Sequence, residues 1–596
     1  MKKVYVTTFT AAALLLAACG GGNNNDGQVT GGNNNAGGDT QGSATTVTEN
    51  TSPYEDFLVI DVFSSRANYQ GIQTGFFAQR VRERFNMELN IIAPNVAGGG
   101  DMLFQTRSTA GNLGDIVITG SGGGTFGELV TGGLLLDMEP YMGNATNLDN
   151  FTLGIMNLND PVGGGIFGVP MEMSNQHPSS PMEGLEPTFG PYIRWDLYAE
   201  LGYPQIPSFM DLLDVLEDMQ NLGDVTETGQ PIYALSLFPD WDGNIMTLGK
   251  QPANLYGYDE VGFVLLKADG SHTTHMLAED SWYIEALRFF NAAFRRGILD
   301  PESATQTWTD LFTKYQNGQV LFSFWPWLGQ SAFNSNDNLE AGKGFMFAPV
   351  EDMRVFSFGA SPYGNDTFVG VGRSTTDPQR MVDFVDWLYS PEGIDISGTG
   401  MGASAGPEGL TWEMVDGEPV LTDFGVRSIM NNEEVPVPAE WGGGTFDNGI
   451  SQLNFPAVIA TDINPNTGFP YDLALWPSVQ RDFGSNPVTV DWREHMGAMN
   501  TMDFLKNNDR LLVAPGSSFI TPEETMEITT LRGMIGNVIA PTSWRMVYAN
   551  TEEEFDALLE EMLDRAMGLG YEEVLEVDFE NARNWAQARI DAVNRH

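Results

Sequence analysis

An alternation of strand-like and helix-like stretches early in the apolar part of the chain constrains the fold most. Phe57-Leu-Val-Ile-Asp-Val-Phe63 reads as a buried strand, and Phe77, Val81 and Phe85 then recur at four-residue steps on one helical face. Leu89–Ile92 and Ile116–Ile118 follow as further strands. Strand, helix and strand at this spacing build βαβ units and a parallel sheet, so an α/β protein is expected. Farther along, Gly164 to Met171 reads as a short strand closing a first lobe, with strands also at Ile232–Phe238 and Phe368–Val371. Helices are expected at Leu212–Met219 (with Ser208 as cap), Ile284–Arg295 and Met381–Tyr389, the last stopped by Ser390-Pro-Glu-Gly393. Thr551-Glu-Glu-Glu554 has the form of a capping box for a helix burying Phe555, Leu558, Leu559, Met562, Leu563 and Ala566, and Tyr571 starts a last helix.

The first residues carry an address. Lys2 and Lys3 precede a short apolar stretch, and Leu16-Ala-Ala-Cys19 is a lipobox, so residues 1–18 read as a lipoprotein signal peptide and Cys19 as the acylated N-terminus. Residues 19–53, rich in Gly and Asn, read as a flexible tether. Cys19 is the only cysteine, so the body from Tyr54 to His596 holds together without a disulfide. A body that long exceeds one compact core, and two or more lobes are expected. The formal charge of −50 becomes −52 once Lys2 and Lys3 are removed, which disfavours nucleic acid, anionic lipid and strongly anionic ligands as partners.

The candidate site centres on Lys314–Gln330, where an Asn317-Gly318 turn leads into the apolar run Val320–Phe324, read as a buried strand, and then Trp325-Pro326-Trp327. Ligands of open α/β sheets gather at the carboxyl ends of strands, and a rigid aromatic pair there suits a sugar ring. Ile232–Phe238 likewise ends at Asp240-Trp241-Asp242-Gly-Asn244, which brings together an indole, two carboxylates and an amide. Trp441 lies in a Gly-rich loop, and Tyr363 and Asn365 lie in the loop before Phe368. A neutral oligosaccharide needs flat aromatic surface and a few orienting polar groups. The ring-contact candidates are therefore Trp327, Trp325, Trp241 and Trp441, and the polar candidates are Asp240, Asp242, Asn244, Tyr363 and Asn365. No catalytic residue, cofactor or metal is expected. The Gly120–Thr125 run lacks the Gly-Lys-Ser/Thr of a phosphate loop, and His272-Thr-Thr-His275 lacks a nearby third ligand for zinc.

The collinear series Gly165–Pro170, Tyr192-Ile-Arg-Trp-Asp196 with Leu201-Gly202, Asp383–Gly393, Val415–Thr422 and Glu553–Tyr571 resembles the family 1 extracellular solute-binding proteins of carbohydrate ABC transporters, in particular the large sugar-binding lipoproteins of Gram-positive bacteria. The resemblance implies a two-lobe, periplasmic-binding-protein-like α/β fold of type II, with a hinge and extra C-terminal helices. Lobe 1 is expected at about 54–170 plus 350–430, and lobe 2 at about 171–349 plus the C-terminal helical part. It further implies a monomer on the extracellular face of the cell membrane, anchored through lipid (palmitate) on Cys19, that passes a neutral oligosaccharide to permease subunits. In that family the Trp after the proline often stacks on sugar, which here is Trp327, whereas Trp325 stands where glycine is common. Ile193 replaces a stacking Tyr of some relatives, and Asp224–Gln230 lacks the alternating Asp and Asn of a calcium loop. The rival readings are a cell-surface glycoside hydrolase, which needs two carboxyls roughly 5–9 Å apart across a cleft, and a non-transport carbohydrate receptor on the same scaffold.

Overall fold

The computed structural model describes residues 52–596 apart from 98–99, 123, 224, 399–403, 432, 520 and 523. Cys19, the signal peptide, the tether up to residue 51 and Asp224 of the Asp224–Gln230 segment lie outside the described residues. Leu58–Ser64 runs through the first sheet, parallel to Met87–Ile92 on one side and to Ile116–Gly120 on the other. Thr367–Val371 joins antiparallel beside Ile116–Gly120, and Val169–Pro170 pairs antiparallel with it in turn. Near-continuous apolar strands suit burial on both faces, and Ile60, Val62, Phe63, Ile116, Val117 and Ile118 are all buried, whereas Phe57 and Val59, at the start of the stretch expected to be buried, are exposed. The helix Gly75–Phe85 places Phe77, Val81 and Phe85 on this core and ends at Asn86, whose φ of 47° turns the chain into the next strand. Phe85 packs against Phe384 and Trp387 of the helix Pro378–Leu388, with ring centroids 5.6 and 5.7 Å apart.

A second core gathers residues from Tyr192 to Val355 and from Val488 to Ala582, whereas the first gathers Ile60–Met173 and Val369–Tyr471. The chain thus passes between them at Met173–Tyr192, Val355–Val369 and Tyr471–Val488. The first two passages are tied to each other where the Glu183 carboxylate takes the Ser357 hydroxyl, and each is also held to a core: Ser174 donates to Asp462, and Val355–Phe358 pairs with Leu511–Ala514.

The second core departs from expectation in several places. Of Val320–Phe324, only Phe322–Ser323 forms a ladder, antiparallel to Tyr192–Arg194, although the whole run is buried. The Ser323 hydroxyl takes the Trp325 N–H at 3.1 Å and donates to the Trp325 carbonyl at 2.9 Å, folding the chain into a turn. Ile232–Phe238 forms no strand: it bends at Ala234 and makes only single bridges, Tyr233 to Val320 and Leu235 to Leu299. Ser208 does not cap Leu212–Asn221; its hydroxyl takes the Asp211 N–H one turn earlier. Thr551 caps Glu552–Gly568 through the Glu554 N–H, but Glu554 turns to the Asn550 N–H, so only half of the box forms. Leu559 and Leu563 are only partly buried on that helix.

The C-terminal helices Met526–Val547, Glu552–Gly568 and Tyr571–Arg595 complete the second core. Asn291 of the helix Trp282–Arg296 donates to the carbonyls at the end of the first of them, and the Tyr283 hydroxyl meets Ser543 at 2.8 Å. Arg532 bridges Glu524 and the buried Asp578, whose carboxylate also takes the Phe263 N–H at 2.7 Å. His272 and His275 serve structure: His272 bonds the Tyr258 hydroxyl at 3.0 Å, and His275 meets Tyr571 edge-on. No helix among the described residues is long and apolar enough to cross a membrane.

Candidate ligand-binding site

Three of the four tryptophans singled out by sequence converge. Pro326 starts the helix Pro326–Phe333, where its missing N–H is no loss, and Trp325 stands just before it with extended backbone. That geometry sends the two indoles to different depths. Trp325 is buried among Phe238, Phe324, Trp241 and Trp327, whereas Trp327 is half-buried with its ring 5.4 Å from that of Trp325. Trp241 is 40% exposed, stands at 63° over Trp325, and lies 5.8 Å from Trp327 at a shallow 38° tilt. Trp325 is therefore the floor of the cluster, and Trp241 and Trp327 are its open surface. Trp308, which sequence reasoning passed over, adds a further half-buried indole 6.3 Å from Trp241.

The polar candidates beside Trp241 are engaged in holding this loop. Asp240 accepts the Trp308 N–H at 2.8 Å, at the start of the helix Trp308–Gln316. Asp242 accepts the Thr247 N–H at 2.8 Å and the Trp544 indole N–H at 2.6 Å, and burial pushes its carboxyl up to about 6. Asn244 packs so closely on the helix Met526–Val547 that a Cβ at Gly536 would lie 2.5 Å from its Oδ1. The C-terminal helices thus position Trp241, a role that no local sequence signal carried.

A second polar group gathers where Leu58–Ser64, Ile116–Gly120 and Val169–Pro170 end, the edge at which α/β sheets bind ligands. Asn365 donates to the Glu172 carboxylate at 2.7 Å and accepts the Thr367 N–H at 2.8 Å. Glu172 is held in the left-handed region at φ 54°, and burial raises its carboxyl while Asn365 and Arg66 oppose the shift. Arg66 reaches Thr367, and the Asn454 amide donates to the Arg66 carbonyl at 2.8 Å. Tyr363, two residues before Asn365, is buried, and its N–H donates to the Ser361 hydroxyl at 3.2 Å. Glu172 and Arg66 were not among the sequence candidates; their positions just after strand ends were the available signal.

Trp441 does not join either group. It lies on the first core under the Arg80 guanidinium, 5.5 Å away, beside a cavity of about 290 Å³ lined also by Phe76, Gln79, Glu83 and Glu440. Among the described residues no cluster of three or more His, Cys, Asp or Glu could hold a metal.

Two packed cores tied by three chain passages, one bearing an open indole surface and the other a polar strand-end group, define a two-lobe α/β protein built to hold a ligand. Residues 74–395 match the family of bacterial extracellular solute-binding proteins, and the chain belongs to it. No curated protein matches the sequence. Among solved structures, the fold is similar to the alginate-binding protein AlgQ2 without calcium ion (TM-score 0.54, 14% identity, covering 90% of this chain and 100% of that one). It is likewise similar to the S. pneumoniae ABC-transporter substrate-binding protein FusA in complex with kestose (0.53, 14%, 89% and 100%). A further likeness is to the HMO-binding ABC-transporter-associated solute-binding protein from Bifidobacterium longum infantis (0.52, 14%, 90% and 100%).

Proposed function

We propose that this protein captures a neutral oligosaccharide outside the cell and delivers it to the permease subunits of an ABC transporter. The observation that carries the reading is the exposed Trp241 in contact with Trp327 over the buried floor of Trp325. Indole faces in water are costly to leave bare and match the apolar faces of sugar rings, while hydroxyls need a few fixed polar partners. Arg66, Glu172 and Asn365 supply those partners from the other core. The net charge of −50 opposes capture of an anionic ligand and favours a neutral one. The ligands named for proteins of similar fold, alginate, kestose and HMO, agree with a saccharide.

The two cores are the two lobes, and ligand that touches both favours the closed state by the contacts it makes only there. Closure then presents a changed outer face to the permease. The protein works as a monomer that binds without catalysing, held at the extracellular face of the membrane by lipid on Cys19. Intrinsic tryptophan emission tests the reading. Neutral oligosaccharides added to the mature protein should change the emission and be recovered intact by chromatography. An unchanged emission with every saccharide, or cleavage of a glycosidic bond, would overturn it.

A further inference from the structure

Trp308 belongs to the same aromatic surface, and three observations set it apart from a core residue. It is half-buried rather than buried, and its ring meets Trp241 at 6.3 Å with a tilt of 35°, nearly repeating the 5.8 Å and 38° between Trp241 and Trp327. Trp241 thus has a partly open indole on each of two contacts, Trp327 at 5.8 Å and Trp308 at 6.3 Å. The outer position is also built. Thr307 and Asp310 form a capping box at the start of the helix Trp308–Gln316, and Asp240, next to Trp241, takes the Trp308 backbone N–H at 2.8 Å. This bond fixes Trp308 against Trp241 before any ligand arrives. Phe312, one turn along the helix, backs the Trp308 ring edge-on at 6.2 Å.

We propose that Trp308 is a ring-contact residue that adds a subsite beyond Trp241, so that the preferred ligand is a linear neutral oligosaccharide of at least three units, one over each of Trp327, Trp241 and Trp308. This rests on the saccharide reading above and adds to it a selection for chain length. Asp240 is a positioning residue for this subsite: it acts through the Trp308 backbone.

The test is calorimetry of the full mature protein with neutral xylo-, gluco-, manno- and galacto-oligosaccharides of two, three and four units. Wild type should gain about tenfold in affinity between two and three units in the series it binds, the size of one aromatic face contact. Trp308→Ala should remove that gain, so that three units bind no tighter than two, whereas Trp308→Phe should keep part of it. Trp308→Phe also guards against a fold defect in the alanine variant. Equal loss for two and three units in both variants, or no gain in wild type from the third unit, overturns the subsite. A wild type that binds none of these sugars overturns the saccharide reading itself, and this inference with it.

Discussion

Trp325 and Trp327, two residues apart, should respond oppositely to truncation. Trp325 is 5% exposed and touches Phe238, Phe324, Trp241 and Trp327, so Trp325→Ala leaves a cavity the size of an indole. Such losses cost about 3–5 kcal/mol. Trp327 is half-buried in the first turn of a helix, where alanine is the better helix former, so Trp327→Ala should cost only about 1 kcal/mol. Its binding loss should be larger, about 2 kcal/mol or roughly thirtyfold in Kd, as for other aromatic anchors. Urea unfolding followed by far-ultraviolet circular dichroism measures the first quantity, and calorimetry with an oligosaccharide the second. If Trp327→Ala lost as much stability as Trp325→Ala, or kept full affinity, the assignment of floor and surface would be refuted.

Two further outcomes follow from the structure and one, the last, from the lipobox in the sequence. Asp242 and Asp462 are pushed up to about 6 and Glu186 to about 7, each mainly by burial, so the folded chain binds more protons than the unfolded one above their ordinary values. Stability should therefore fall as pH rises from about 4 through 7, read as a lower urea midpoint at pH 7.5 than at pH 5; a rising midpoint would contradict the burial of these acids. Gly262→Ala should destabilise by more than about 1–2 kcal/mol, because φ is +62° there and a Cβ would lie 2.2 Å from the Asp578 carboxylate; an unchanged urea midpoint would contradict that packing. Cys19→Ala should release the protein into the medium and abolish metabolic labelling with a palmitate analogue, whereas retained labelling would refute the lipid anchor.

The α/β alternation at Phe57–Ile118 and the helix at Met381 were legible because apolar period alone specifies a strand buried on both faces or an amphipathic helix. The short ladder at Phe322–Ser323 was not, because side-chain bonds from Ser323 turn the chain early and apolarity reports burial rather than pairing. Sequence placed the second visit to the first lobe at about 350–430, whereas the first core takes residues as far as Tyr471, a region of turns with little periodicity. At the site, Trp325-Pro-Trp327 and Asp240–Asn244 stood out as dense runs of chemistry. Their division of labour did not, since Asp240 and Asp242 are engaged by Trp308 and Trp544, distant in sequence. Glu172 and Arg66 escaped notice for the same reason: their neighbourhood is assembled by three strand ends.

The most direct measurement is titration calorimetry of the wild-type mature protein against neutral xylo-, gluco-, manno- and galacto-oligosaccharides, with a peptide and an anionic oligosaccharide alongside. Saturable binding of at least one neutral series, with a negative heat-capacity change from burying the indole faces, is the predicted result. Binding of the peptide or the anionic sugar with none of the neutral ones would contradict it.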